Sequence, residues 1–175
     1  MSRRKPNIIK FVIILLFLGI WIGAFALDTD QYKEMHVVAD SASYDRTHRI
    51  ITYDGKVQVD QGTSHLDGDH VLVHQLPTGD KIQQVIAYGK PAHYNTIPAP
   101  NKNRLYVEAL KITYDPIKKT VLLEGHARVN QDGNIFTGPR IWYDMINGVV
   151  HSYAGPAHER TEMVIQPQQK TPPKK

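Results

Sequence analysis

The chain of 175 residues contains no cysteine. That excludes a disulfide scaffold, cysteine-ligated zinc and a thiol nucleophile. After Leu27 it also lacks any ten-residue stretch with apolar residues at i, i+3, i+4 and i+7, so no amphipathic helix is expected there. There is no G-x-G-x-x-G, no phosphate loop and no nucleophile elbow. Acid is missing from both ends. Positions 1–26 hold four basic side chains, positions 166–175 hold three, and neither segment holds an Asp or Glu. Residues 27–165 therefore carry the other 14 basic residues against all 17 acids, a net charge of −3. The basic pI belongs to the termini, and a nucleic-acid partner is not expected.

The N-terminal end contains Arg3, Arg4 and Lys5, then fifteen uncharged residues from Phe11 to Phe25, then Ala24-Phe25-Ala26 and the polar run Leu27-Asp28-Thr29-Asp30-Gln31. This is the order of a secretory signal peptide, residues 1–26, with a small-x-small cleavage site. The apolar run is shorter than the roughly 20 residues a spanning helix needs. The alternative is a retained N-terminal anchor. Either arrangement puts Leu27 onward across a membrane from the cytoplasm. Residues 27–165 are long enough for one domain with a core, and 166–175, rich in Pro, Gln and Lys, are expected to be a disordered tail.

Between these ends, short alternating runs are closed by turn residues. Val57-Gln58-Val59 lies between Asp54-Gly55 and Gln61-Gly62; Val71-Leu72-Val73 precedes Leu76-Pro77-Thr78-Gly79. Ala127-Arg128-Val129 precedes Asp132-Gly133, and Ile141-Trp142-Tyr143 precedes Asn147-Gly148. Runs of this length with such turns predict an all-β sandwich, jelly roll or barrel. Ile97 to Asn103 reads as the one clear mid-chain loop. The pattern also recurs at one constant offset: Tyr44-Asp45 as Tyr114-Asp115, Asp54-Gly55 as Glu124-Gly125, Asp60-Gln61 as Asn130-Gln131, and Gly68 as Gly138. Two similar halves are expected, stacked as successive β units.

Strand alternation sorts the residues into two faces. One carries Ala42, Tyr44, Ile51, Tyr53, Val57, Val59, Val71 and Val73, and in the second half Leu110, Ile112, Tyr114, Val121, Leu123, Ala127 and Val129. The other carries Gln58, Asp60, His70, His74, Lys111, Thr113 and Arg128. The apolar face either closes on itself as a core or stays partly apart as a groove; periodicity allows both. No site chemistry stands out. His70 and His74 on a strand lie about 13 Å apart, too far to share a metal ion. Asp67 with Asp69, and Asp28 with Asp30, read as turn or terminal residues. No cofactor, no metal and no enzymatic activity are expected.

Several segments together resemble one family. They are Ala24 to Gln31, Met35-His36-Val37-Val38-Ala39-Asp40, Lys56-Val57-Gln58-Val59-Asp60-Gln61-Gly62 and, most specifically, Tyr88-Gly89-Lys90-Pro91-Ala92. Their order resembles that of the LptA/OstA-like periplasmic lipopolysaccharide-export family, from about Ala24 to Ile165. The resemblance implies a slightly twisted, open β-jelly roll of about sixteen antiparallel strands whose apolar interior holds the acyl chains of lipid A. It implies lipid contacts at Thr29, Met35, Val37, Tyr94 and Tyr114, joined by Tyr44, Leu110 and Ile112 from the apolar face. Pro116 stands where the family has a leucine. It implies pairing edges at an N-terminal strand, about Met35 to Tyr44 (Met35, Val37), and a C-terminal strand, about Ala157 to Ile165 (Thr161, Met163, Ile165). The partners implied are LptC at the first edge, LptD at the second, and further copies head to tail. The anchored reading would be an LptC-like component of the same system.

Overall fold

The computed structural model describes Asp30 and residues 33–79, 81–155 and 159–167. The expected signal peptide, Thr29, Ala157 and residues 168–175 lie outside the described residues. Among the described residues ten strands follow one another: β1 (Met35–Val38), β2 (Ser41–Asp45), β3 (Ile50–Gln61), β4 (Ser64–Gln75), β5 (Ile82–Thr96), β6 (Leu105–Asp115), β7 (Thr120–Gln131), β8 (Asn134–Asp144), β9 (Val149–Tyr153) and β10 (Glu162–Val164). They form one antiparallel sheet in the order β1-β3-β4-β5-β6-β7-β8-β10. β2 pairs with the first part of β3, and β9 with the second part of β8. Each margin of the sheet is therefore two short strands laid along one long strand.

The sequence repeat is structural. β3 and β7 begin and end at equivalent positions of the repeat, and the pairs Ile50↔His74 and Gln61↔Ser64 recur as Thr120↔Asp144 and Gln131↔Asn134. The expected mid-chain loop is the connection between β5 and β6.

The long strands are bent where their registers shift. Besides an irregularity at the end of β4, between His74 and Gln75, the shifts fall between Asp54 and Val57, Asp67 and His70, Tyr88 and Ala92, Glu108 and Lys111, and Glu124 and Ala127. Because paired residues bound each shift, the bulges align as one crease across the sheet; β8 crosses it at Pro139, between its β10-paired and β9-paired parts. Bulges bend strands and admit a residue the ladder cannot use. In both halves the bulge is a glycine followed by a second positive-φ residue: Gly55 at +77° with Lys56 at +46°, and Gly125 at +77° with His126 at +49°. β5 bends at Gly89, where a Cβ would sit 2.4 Å from the nitrogen of Ala92; the following Lys90–Pro91 bond is cis. With β3 to β8 each divided at the crease and the four short strands added, the sheet has the sixteen segments of the expected jelly roll.

Both terminal strands are shorter than expected. The first breaks at Ala39 and Asp40 into β1 and β2, because it must follow β3 across the crease; there the Asp40 N–H donates to Gly55 O at 2.9 Å. The C-terminal strand covers only Glu162 to Val164, so Thr161 and Ile165 flank it. Gln166, expected to open the tail, is tied to the β7–β8 hairpin: its N–H donates to Asn134 Oδ1 at 2.9 Å and its side chain to Gly133 O.

Ala92, Ala109, Val57, Val71, Ala87, Leu123, Ala127 and Ile141 are exposed by 2% or less. A one-layer sheet cannot hide them unless something covers it. The buried residues come from both sides of the crease and form one cluster, so the sheet is folded on itself along that line.

Candidate functional site

Cross-strand pairing arranges the inward side chains in rows that run the breadth of the sheet. Beside the crease on one side lie Val57, Gly68, Ala92, Ala109, Ala127 and Gly138, small enough to let the layers close. On the other side lie Ala42, Tyr53, Val71, Ala87, Ile112, Leu123, Ile141 and Ser152. Two positions further from the crease the side chains are larger and less buried. One such row is Val37, Val59, Leu66, Tyr94, Val107, Val129, Phe136 and Met163. The facing row is Tyr44, Ile51, Val73, Val85, Tyr114, Val121, Tyr143 and Val150. The interior is thus packed at the crease and opens away from it. It is a core at its floor and a groove above, so both readings that alternation allowed hold at different depths.

Of the sequence-derived candidates, Val37, Tyr94, Tyr44, Tyr114 and Ile112 fall on this inner face; Met35, in phase with Val37, stands at its rim and is 44% exposed. Leu110 is a correction. It is 42% exposed on the outer face, while Ala109 and Ile112 are both buried. The bulge between Glu108 and Lys111 reverses the alternation, so counting by two across it fails. Tyr143 and Phe136 belong to the groove and were not singled out. Each had a signal: Tyr143-Asp144 is a Tyr-Asp pair like Tyr44-Asp45 and Tyr114-Asp115, and Phe136 is the counterpart of Leu66 in the repeat.

Burial raises the Tyr114 pKa above the ordinary tyrosine value, with the nearby Tyr94 phenol and Asp115 adding to it. A recess of about 350 Å³ opens at one margin, lined by Ala42, Ser43, Tyr44, Ile51, Tyr53 and Gln75. Three of the four Tyr-Asp pairs, all but Tyr53-Asp54 within β3, end strands in the same way. Asp45, Asp115 and Asp144 each accept two backbone N–H bonds from the turn that follows, at 2.8–3.0 Å. Each turn thereby fixes the end of a strand whose preceding tyrosine lines the groove.

The outer face mixes an apolar row, Leu72, Ile86, Leu122 and Trp142, with polar side chains that pair among themselves. One row, Asp54, His70, Tyr88, Lys111, Glu124, Arg140 and Tyr153, is linked at every step. His70 Nδ1 lies 2.5 Å from Asp54, Lys111 Nζ 3.0 Å from Glu124 and Arg140 Nε 3.9 Å from Glu124, with rings and cations stacked at about 6 Å elsewhere. His65 bridges Asp60 at 2.6 Å and Asp67 at 2.9 Å. Its pKa is raised, by the Asp60 hydrogen bond first and by Asp67, against an opposing effect of burial. No group of three or more His, Cys, Asp or Glu that could hold a metal occurs among the described residues. Nor is any helix among them long and apolar enough to cross a membrane.

Residues 36–149 match the family model of the LptA/(LptD N-terminal domain) LPS transport protein. The chain belongs to this family. Its similarity to the lipopolysaccharide export system protein LptH of Pseudomonas aeruginosa is 37% identity over 84% of this chain and 87% of that protein. With LptA of Escherichia coli K12 it shares 31% identity over 79% of this chain and 76% of that one. The crystal structure of the Pseudomonas aeruginosa LptH, described as the LptA-homologous periplasmic component of the lipopolysaccharide transport device, superposes with a TM-score of 0.70 at 35% identity. It covers 79% of this chain and 99% of that structure. The superposition extends over nearly the whole of the LptH structure, so the two share this open antiparallel sheet.

Proposed function

We propose that this LPS-transport family member is a periplasmic carrier of lipopolysaccharide and not a catalyst. The acyl chains of lipid A lie in the groove above the crease, and the sugars remain in water. The observation that carries this reading is the apolar row from Val37 to Met163. It runs unbroken from one margin strand to the other, so the groove reaches both open edges of the sheet. Each CH₂ removed from water stabilises the complex by about 0.8 kcal/mol. Several chains of a dozen carbons cannot cross water at a useful rate without such a surface. Lipid contacts fall on Met35, Val37, Tyr44, Tyr94, Ile112 and Tyr114, joined by Phe136 and Tyr143, with Thr29 ahead of them. The unpaired edges of β1 and β10 accept neighbours of the same fold by strand addition. LptC is the partner at the β1 edge, LptD at the β10 edge, and further copies extend the groove head to tail.

Calorimetric titration of the purified protein with lipopolysaccharide and with its fully deacylated saccharide tests the reading. Heat of binding is expected from the acylated form alone. Equal binding of the deacylated saccharide would put recognition in the sugars and overturn the groove.

A further inference from the structure

At one end of the groove a line of hydroxyls reaches the inner wall. Thr63 Oγ1 donates to Asp30 Oδ2 at 2.5 Å, and the Thr63 N–H donates to the same oxygen at 2.9 Å. Thr63 Oγ1 is 3.4 Å from Thr96 Oγ1, Thr96 Oγ1 is 2.9 Å from Ser64 Oγ, and Ser64 Oγ is 3.2 Å from the Tyr94 hydroxyl. Each hydroxyl has one proton to give. A carboxylate only accepts, so Thr63 spends its proton on Asp30. Thr63 Oγ1 also accepts the Ile97 N–H at 3.3 Å, so Thr96 donates to its remaining lone pair, Ser64 to Thr96, and Tyr94 to Ser64. The carboxylate at one end sets the direction of every bond, and the Tyr94 oxygen is left with lone pairs and no proton to offer. Arg104 donates to Thr63 O at 2.8 Å and to Asn95 Oδ1, which holds this end of the sheet together.

We propose that Tyr94 is a specificity residue that presents an acceptor oxygen to the groove and selects lipids whose chains carry a hydroxyl or amide donor. Asp30, Thr63, Thr96 and Ser64 are its positioning residues. The inference rests on the lipid-carrier reading. A plain hydrocarbon chain meets the tyrosine ring only. A chain with a donor gains one hydrogen bond, and a chain with an acceptor alone meets an oxygen that cannot donate to it.

Three soluble probes separate these cases: myristate, 3-hydroxymyristate and 3-methoxymyristate, each displacing a fluorescent fatty acid from the full chain. The wild type is expected to bind the hydroxylated probe about two- to tenfold tighter than the other two, the range one neutral hydrogen bond supplies. Tyr94→Phe should bind all three alike, whatever its overall affinity for them. Ser64→Ala frees the tyrosine proton, so 3-methoxymyristate should gain over myristate; Ser64→Thr, which keeps the hydroxyl, should behave as wild type. A purely structural role for Ser64 would weaken all probes together and leave their ratios alone, and that result would overturn the proposal. Equal binding of the three probes by the wild type would also overturn it while leaving the carrier reading intact. Binding of none of them would contradict the carrier reading itself.

Discussion

Tyr94 and Tyr114 stand on opposite sides of the crease, paired with Val107 and Val85 respectively, and the Tyr94 phenol adds to the burial that raises the Tyr114 pKa. Along an unbent sheet, the register would hold the two rings far apart. Their electrostatic proximity follows from the fold of β5 and β6 at the bulges, which brings two distant stretches of one sheet face to face. The groove is therefore made by bending, and residues at the bend should matter most for stability.

Ile141, 1% exposed beside the crease, tests the floor. Ile141→Ala should cost about 2–5 kcal/mol in denaturant unfolding, the range for a buried isoleucine cut to alanine. Ile146, 71% exposed in the β8–β9 turn, is the control; Ile146→Ala should stay within about 0.5 kcal/mol. Equal losses would mean the interior is not packed at the crease.

Gly125 tests the bend. At φ +77° any side chain is strained, and its Cβ would sit 2.8 Å from Leu110 Cδ1. Gly125→Ala should destabilise by about 1–2 kcal/mol from backbone strain alone. Adding Leu110→Ala should recover the steric part, visible in a double-mutant cycle by thermal unfolding. A neutral Gly125→Ala would contradict the positive φ.

His65 gives a pH dependence. Its folded pKa is raised above 6.5, chiefly by Asp60. The stabilisation is thus fully present below that value and is lost as pH rises through the raised one. Melting temperature should fall across this window in the wild type and fall less in His65→Gln. An NMR titration of the His65 ring should give a midpoint above that of free histidine; a midpoint below it would remove the two carboxylates as partners.

The β10 edge gives an assembly test. Val164, paired with Ile135, is 40% exposed at the margin. Val164→Pro should suppress concentration-dependent oligomers in light scattering and keep the β signature in circular dichroism. Deleting residues 168–175 should leave assembly unchanged. The reverse pattern would move the interface to the tail.

Much of this was legible in the residues. Alternation placed the apolar set on the inner face with the exception of Leu110, and the internal repeat anticipated the matching registers of β3–β4 and β7–β8. Leu110 failed because alternation carries no information about where a bulge resets it. The crease itself was hidden for the same reason: it is a property of aligned bulges in five neighbouring strands, and no single strand displays it. The hydroxyl line from Asp30 to Tyr94 joins segments far apart in the chain, and Ser64 and Thr96 read individually as ordinary turn and strand-end residues. Gln166 shared the composition of the tail, and only its bonds to the β7–β8 hairpin distinguish it.

The most direct test of the carrier account is site-specific photocrosslinking in cells. A photoreactive residue is placed at Tyr114, on the groove wall, and separately at Thr113, its neighbour on the outer face. The account predicts a lipopolysaccharide adduct at Tyr114 and none at Thr113. Equal adducts at both positions, or none at Tyr114 in a folded protein, would contradict it.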